Sequence, residues 1–336
     1  MGIKVAKFGG SSVADGIQLT KTKEIIRHDP DRKYIVVSAP GKRFEGDSKI
    51  TDILYLCKTH IDHNLPYDQL FQVVADRYMA VEINLGVKVD LLEHFDEIRE
   101  NLRNNPSADY IASRGEYLNA ILVAAFLGYD FVDTEGLIKF DEKGRLLTEE
   151  TDAALREELA KHERAVPGFY GSTPDGKIKT FSRGGSDITG ALVARAVKAD
   201  VYENWTDVSG FLMADPRIVS NPKQIREISY KELRELSYMG ASVLHEDAIY
   251  PARMANVPIN IRNTNKPEDP GTLITAEVSE NYENDEKRII TGIAGNRDFT
   301  VVAIYKNMMS SERGFVRKIL DILDDFDINF EHLPSG

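Results

Sequence analysis

The chain is poor in the features that would tie it to an oxidising compartment, a membrane or a polyanion. It has one cysteine, Cys57, in 336 residues, so no disulfide can form within it and a reducing compartment suits it. No uninterrupted apolar run reaches the ~18 residues that a membrane-spanning helix needs. The opening stretch MGIKVAKFGG lacks the apolar core of a secretory signal. Position 6, where an N-myristoylation signal carries Ser or Thr, is Ala6. Basic residues are the minority, 42 Lys and Arg against 54 Asp and Glu, for a net charge of −12. That balance argues against broad binding to nucleic acid or anionic membrane, while a local basic pocket could still hold an anion. Walker A, the dinucleotide G-x-G-x-x-G, the protein-kinase signature set and the G-x-S-x-G nucleophile elbow are all missing. The expectation is a soluble cytoplasmic globule with neither a nucleic-acid nor a membrane partner.

What is present is an ordinary globular composition, 42% hydrophobic and 29% charged, with enough apolar mass for a sizeable core. At roughly 150 residues per domain, the length gives about two domains. A strand at 3–8, a helix at 17–27 and a strand at 34–38 read as a parallel βαβ opening. From about 51 to 104 the pattern turns helical, divided by turn signals at 64–66 and Gly86, and reads as a helical subdomain or lid over the sheet edge. The alternation then resumes with a helix at 114–127, a strand at 130–133, a helix at 150–162 and strands at 165–167 and 177–181. A helix to 198, a strand at 201–205, a hairpin at 211–219, helices at 230–236 and 246–254 and a strand at 258–261 follow. The run EVSENYENDEKR (277–288) reads as a charged linker, ahead of a strand at 300–304, an amphipathic helix at 312–326 and a strand at 328–331.

Two glycine pairs each follow a predicted strand and open onto a helix or turn, Gly9-Gly10 after Lys7 and Gly184-Gly185 after Arg183. Glycine allows close backbone approach to a ligand, and amides at a helix start favour anions. Either pair alone could be a plain strand-to-helix turn. Two such turns in one parallel sheet, each beside a cation and hydroxyls, point to a phosphate or carboxylate site. Trp205-Thr206-Asp207-Val208-Ser209-Gly210 sits at a strand end, where open α/β sheets bind ligands, although taken by itself it reads better as an Asx-type turn between strand and hairpin. Ser113-Arg114-Gly115-Glu116 reads on its own as a helix N-cap followed by a dipole-complementing acid. Cys57, His60 and His63 share a helical spacing that could present metal ligands. No partner cluster accompanies them, and no structural zinc is expected.

Taken in order, KFGGSSV (7–13), ITDIL around Thr51, ASRGEYLNA (112–120), FSRGGSDITGALVA (181–194), WTDVSGFLMADPRIV (205–219), MGASVLHEDAIYPA (239–252) and DPGTLI (269–274) resemble the aspartate kinases of the amino-acid kinase superfamily. The resemblance covers essentially the whole chain. It implies an α/β fold with a three-layer, open, mainly parallel sheet at 1–276, a helical lid at about 51–105, the linker, and an incomplete ACT-like βαβ segment at 289–336. It also implies transfer of the γ-phosphoryl group of ATP, with Mg2+, to the side-chain carboxylate of L-aspartate, the entry step to lysine, threonine and methionine synthesis. A carboxylate is already ionised at pH 7, so the work is positioning and charge neutralisation rather than base catalysis.

By the same resemblance Lys7 contacts the phosphates, with Gly9, Gly10 and Ser11 around them, and Asp187 organises Lys7. Arg183 pairs with the substrate α-carboxylate, Glu116 receives the α-ammonium group, and Thr51, Ser11, Gly184 and Ser186 complete the aspartate site. Thr206, Asp207, Leu212, Asp215, Arg217 and Ser242 fall on nucleotide-binding positions, and magnesium is expected to be held mainly by ATP oxygens and water. At Ser242 many relatives carry a phosphate-binding lysine. Arg217 or another nearby cation is expected to compensate. A homodimer is expected from the family, with lysine, and in some members threonine, as effector of a longer parent. Because the ACT-like part is only about half a module, the chain is expected to be a truncated product with little or no feedback inhibition. A glutamate, acetylglutamate or uridylate kinase, or a catalytically weak regulatory subunit, are the competing readings.

Overall fold

The first strand, β1 (Lys4–Phe8), turns its side chains into two separate cores. Val5 packs with Val36, Leu192 and Tyr202 on one face, while Ala6 and Phe8 pack with Ile35, Val37 and Trp205 on the other. A strand buried on both faces is the mark of a parallel sheet covered by helices. That is the arrangement in the computed structural model. It describes residues 2–161, 164–181, 184–238, 246–283, 289–295, 300–305, 307, 312–328, 330, 332 and 333, without the side chains of 164–167, 238, 246, 247, 281 and 283.

After β1 come α1 (Gly16–His28), β2 (Arg32–Val37), α2 (Ile50–Asp62), α3 (Asp68–Leu85), α4 (Leu91–Arg103) and α5 (Ala108–Leu127). Then follow β3 (Asp130–Phe131), α6 (Thr148–Leu159), β4 (Arg164–Pro167), β5 (Tyr170–Ser172), β6 (Ile178–Thr180), α7 (Gly185–Ala196) and β7 (Val201–Thr206). The remainder is β8 (Glu227–Ser229), α8 (Tyr230–Tyr238), α9 (Glu246–Met254), β9 (Ile259–Asn263), β10 (Thr272–Thr275), α10 (Glu280–Glu283) and α11 (Phe315–Asp325). The main sheet has the order β3-β4-β2-β1-β7-β9-β10-β8. Its pairs are parallel except β9 with β10.

The helical stretch expected at about 51–105 is α2, α3 and α4. Its Leu54, Phe71, Tyr78 and Phe95 share one core with Phe8 and Trp205 of the sheet. Four readings change. The strand expected at 177–181 is β6, and it leaves the parallel sheet to pair antiparallel with β5. The second glycine pair therefore follows a hairpin strand. The hairpin expected at 211–219 is wider: Met213 N–H bonds Lys223 O at 2.8 Å and Ile225 N–H bonds Phe211 O at 2.8 Å, with 215–219 as its tip. Part of the expected linker is anchored, since Glu227 accepts the Ser279 N–H at 3.0 Å and Tyr282 OH accepts the Arg226 N–H at 3.2 Å. The first contact immediately precedes the short helix α10 and the second comes from within it.

The fourth change concerns the carboxyl-terminal part. The chain divides into a unit ending at Gly295 and a unit of residues 296–336. Among the described residues of the second unit only α11 is regular. The strand expected at 300–304 forms no ladder, and nor do residues 328 and 330, while 329 and 331 lie outside the described residues. A strand needs a neighbour to satisfy its backbone, and here none is described.

Candidate active site

Strand order reverses about β1, with β2 on one side and β7 on the other. In open α/β sheets the crevice beyond the carboxyl ends at such a switch point is where ligands bind. Lys7, Gly9 and Gly10 lie at that end of β1, and Thr206 and Asp207 at that end of β7.

The loop after β1 is pinned by backbone contacts. Gly9 N–H bonds Trp205 O at 2.9 Å, and Gly41 N–H, from the loop after β2, bonds Gly10 O at 2.8 Å. A Cβ on Gly41 would lie 2.7 Å from the Gly10 carbonyl carbon, so only glycine lets the two loops touch. The buried guanidinium of Arg77 donates to Gly41 O, and to Ser48 O at 2.7 Å, which holds the second loop in place. Gly10–Val13 then forms a 3-10 turn. Within it Ser12 is buried, its hydroxyl 2.7 Å from Thr264 Oγ1, whereas Ser11 is half-buried.

Lys7 is a buried cation between the apolar residues Ala6 and Phe8 of β1. Its Nζ lies 2.5 Å from Asp187 Oδ1 in the first turn of α7. A third side chain joins them. Asn204 Nδ2 donates to Asp187 Oδ1 at 2.8 Å, and Lys7 Nζ donates to Asn204 Oδ1 at 3.4 Å. Gly184, in the left-handed conformation, caps α7, and Ser186 is buried in its first turn. Ser182 and Arg183 lie outside the described residues, as does Ser242.

Glu116 enters from α5. That helix begins at Ala108 behind the N-cap Ser107, so Ser113–Glu116 is mid-helix and not the expected N-cap. The reason is burial: α5 is covered over most of its circumference, which erases the amphipathic period that would have marked its start. A Cβ on Gly115 would sit 2.9 Å from Ala39 Cβ and 3.4 Å from Ile50 Cγ2. Its absence brings α5 against the end of β2 and the start of α2, where Thr51 stands half-buried. Glu116 Oε2 has no hydrogen-bond partner among the described residues. Burial pushes its carboxyl up to about 8, against the pull of the Ala39 N–H, Arg114 and Lys7. Arg114 itself bonds Ser113 Oγ at 2.9 Å and sits 4.7, 4.5 and 5.2 Å from the ring centres of Tyr110, Tyr117 and Tyr170. Its charge is therefore spent on ring faces.

At the other end of the crevice Thr206 donates to Asp207 Oδ1 at 3.2 Å, and its carbonyl accepts the Thr264 N–H at 2.8 Å. Asp207 and Leu212 are exposed. Arg217, 87% exposed, is held by Asp215 through a forked ion pair at 2.7–3.1 Å. Among the described residues no three His, Cys, Asp or Glu side chains are grouped to hold a metal ion. Cys57 is buried while the His60 ring turns to Pro66 O at 2.7 Å. No helix among those residues is long and apolar enough to cross a membrane.

The structure thus brings Lys7, Asp187, the Gly9-Gly10 loop and the Thr206 turn to one crevice, with Glu116 in electrostatic reach of Lys7. Asn204 and the Ala39 N–H were missed. Asn204 carried a readable signal, a polar residue in a buried strand, but only its register opposite Lys7 gives it meaning.

The amino acid kinase family model matches residues 2–263. Aspartokinase 3 of Bacillus subtilis is 38% identical, over 99% of this chain and 76% of its own length. The crystal structure of Clostridium acetobutylicum aspartate kinase superposes with a TM-score of 0.93 at 51% identity, covering 100% of this chain and 76% of that one. Escherichia coli aspartokinase III in complex with lysine and aspartate superposes with a TM-score of 0.77 at 25% identity, over 99% of this chain and 77% of that one.

Proposed function

Because the chain belongs to the amino acid kinase family, and within it to the aspartate kinases, we propose that the switch-point crevice is where its phosphoryl transfer takes place. ATP and L-aspartate give ADP and 4-phospho-L-aspartate. One oxygen of the substrate side-chain carboxylate forms the new bond to the γ-phosphorus, and the bond from that phosphorus to the β-γ bridging oxygen breaks, releasing ADP. The nucleophile is already ionised, so no proton has to be removed from it. Lys7 neutralises charge on the transferring group, and Asp187 holds Lys7 in place.

The observation that carries this reading is the buried Lys7–Asp187 pair, at 2.5 Å, at the carboxyl end of β1. Glu116, with its unpartnered oxygen, is the acceptor for the substrate α-ammonium group. Arg183 is assigned the α-carboxylate, where a planar fork matches two oxygens, and Thr51, Ser11, Gly184 and Ser186 complete the aspartate side. Gly9 and Gly10 give backbone access to the phosphates, while Thr206, Asp207, Leu212, Asp215 and Ser242 line the nucleotide. Arg217 reaches phosphate only by exchanging its bonds to Asp215. Magnesium, when bound, would supply positive charge to the phosphates, and ATP oxygens and water are assigned as its main ligands. Lysine, bound by the E. coli relative, is the proposed effector, and a homodimer is the proposed assembly.

Hydroxylamine trapping tests the reaction. With ATP, magnesium and L-aspartate the protein should release ADP and yield aspartyl hydroxamate. Lys7→Ala should retain the fold and lose about 10^3-fold in kcat, the range seen when a charge-stabilising donor is removed. Unchanged turnover in Lys7→Ala would remove Lys7 from the site. A large gain in kcat/KM for ATP in Ser242→Lys would show that no other cation compensates there.

A further inference from the structure

Asn204 is buried on β7, in register with Lys7 on β1. Its amide closes a ring with the two charged groups. Nδ2 donates to Asp187 Oδ1 at 2.8 Å, Lys7 Nζ donates to Asn204 Oδ1 at 3.4 Å, and Nζ lies 2.5 Å from that same Asp187 oxygen. The amide orientation is forced by its neighbours. Reversed, it would set an NH2 group against an ammonium and a carbonyl against a carboxylate.

Two consequences follow from this ring. An ammonium has three N–H donors; the Asn204 carbonyl takes one of them at 3.4 Å, while the Asp187 carboxylate, 2.5 Å away, fixes where the charge sits. Asp187 Oδ1, for its part, divides its lone pairs between a cation and a neutral amide. Bonded to the ammonium alone it would hold that cation more tightly and screen it from an incoming phosphoryl group. The amide loosens the grip without adding charge, in a buried place where such terms are large.

We propose that Asn204 is a positioning residue for phosphoryl transfer, acting through Lys7 by orienting its ammonium group and keeping its charge available to the transferring group. The inference rests on the reading that Lys7 meets that group. The plainer role, satisfying buried polar atoms, would show as general loss of stability and of all ligand affinities together.

The test compares Asn204→Leu, similar in volume and without polar atoms, with the wild-type chain. Expected is a loss in kcat of about 10- to 100-fold, the scale of a misplaced catalytic group. The KM for aspartate and the affinity for ADP should stay within about threefold. The affinity for ADP with aluminium fluoride and aspartate, a mimic of the transition state, should fall by the same factor as kcat. The double variant Lys7→Ala/Asn204→Leu should be no slower than Lys7→Ala, because residues acting as a unit are not additive. Where Asn204→Leu fails to fold, Asn204→Asp gives the same readouts. It keeps the shape but replaces the donor to Asp187 with a second acceptor, and it should lose kcat while still binding ADP. Wild-type kcat in either folded variant, or an equal loss of ADP, aspartate and mimic binding, overturns the proposal. If Lys7→Ala keeps its activity, the reading of the site falls first and this inference with it. If Lys7→Ala is inactive and Asn204→Leu is normal, only this inference falls.

Discussion

Glu116 is the residue at which burial and function oppose each other most directly. An ionised carboxylate is what an α-ammonium group requires, yet desolvation raises the Glu116 carboxyl to about 8. Substrate binding therefore has to ionise it, and the KM for aspartate should fall as pH rises from 6 to about 8. The same shift bears on stability. The unfolded carboxyl gives up its proton near 4.5, whereas the folded one keeps it up to about 8. Between those values the native state binds more protons, so this residue's contribution is fully present below 4.5 and is lost as pH rises through about 8. Saturating aspartate should flatten that decline. In Glu116→Gln the KM for aspartate should rise about 100-fold with the KM for ATP unchanged, consistent with losing a charge-assisted bond of roughly 3 kcal/mol. Steady-state kinetics and thermal melts across pH 5–9 check both statements. A pH-independent KM in the wild-type chain would contradict the assigned role.

Among the elements, β7 does two jobs because its side chains alternate. Tyr202, Asn204 and Thr206 face the α7 side, while Glu203 and Trp205 face the other core. Glu203 accepts from Arg32 Nε at 2.7 Å and from Trp205 Nε1 at 2.9 Å, with Arg262 Nη1 at 3.7 Å. Both guanidiniums also lie near the Trp205 ring, at 5.2 and 4.6 Å. This buried cluster fixes the strand end that carries the Thr206 turn. Glu203→Ala should cost about 3–5 kcal/mol, since it leaves buried guanidinium charge without its counterion, and should raise the KM for ATP. Urea denaturation and initial rates measure the two effects. Legibility also divided by element. β1, β2, α1 and β7 were readable because each has a length and period of its own. The short strands β5, β8 and β10 were not, having three or four residues apiece, and the start of α5 carried no clear period because residues 111–116 are buried in succession.

For the molecule as a whole, the net charge of −12 gives no hint of the cation at its centre. Lys7 is buried at the switch point, and a single buried charge outweighs many solvated ones in local effect. The carboxyl-terminal unit is of another kind. No residue of α11 is buried, and Val301 and Tyr305 are 89% and 93% exposed.

The glycine pairs, the adjacent cations and the order of the motifs are properties of residue type and spacing. They were enough to point to an anion site on a parallel sheet and, through the resemblance their order carries, to the family and its reaction, because the chemistry of a lysine, a carboxylate or a glycine turn travels with the residue. Three things waited for the folded chain. Lys7 meets Asn204 across 197 positions, through strand register. Asn204 meets Asp187 across 17, through the docking of α7 on the sheet. Glu116 acquires its raised carboxyl from burial. Register, helix docking and desolvation depend on what the rest of the chain brings near a residue, and a local pattern carries no record of that.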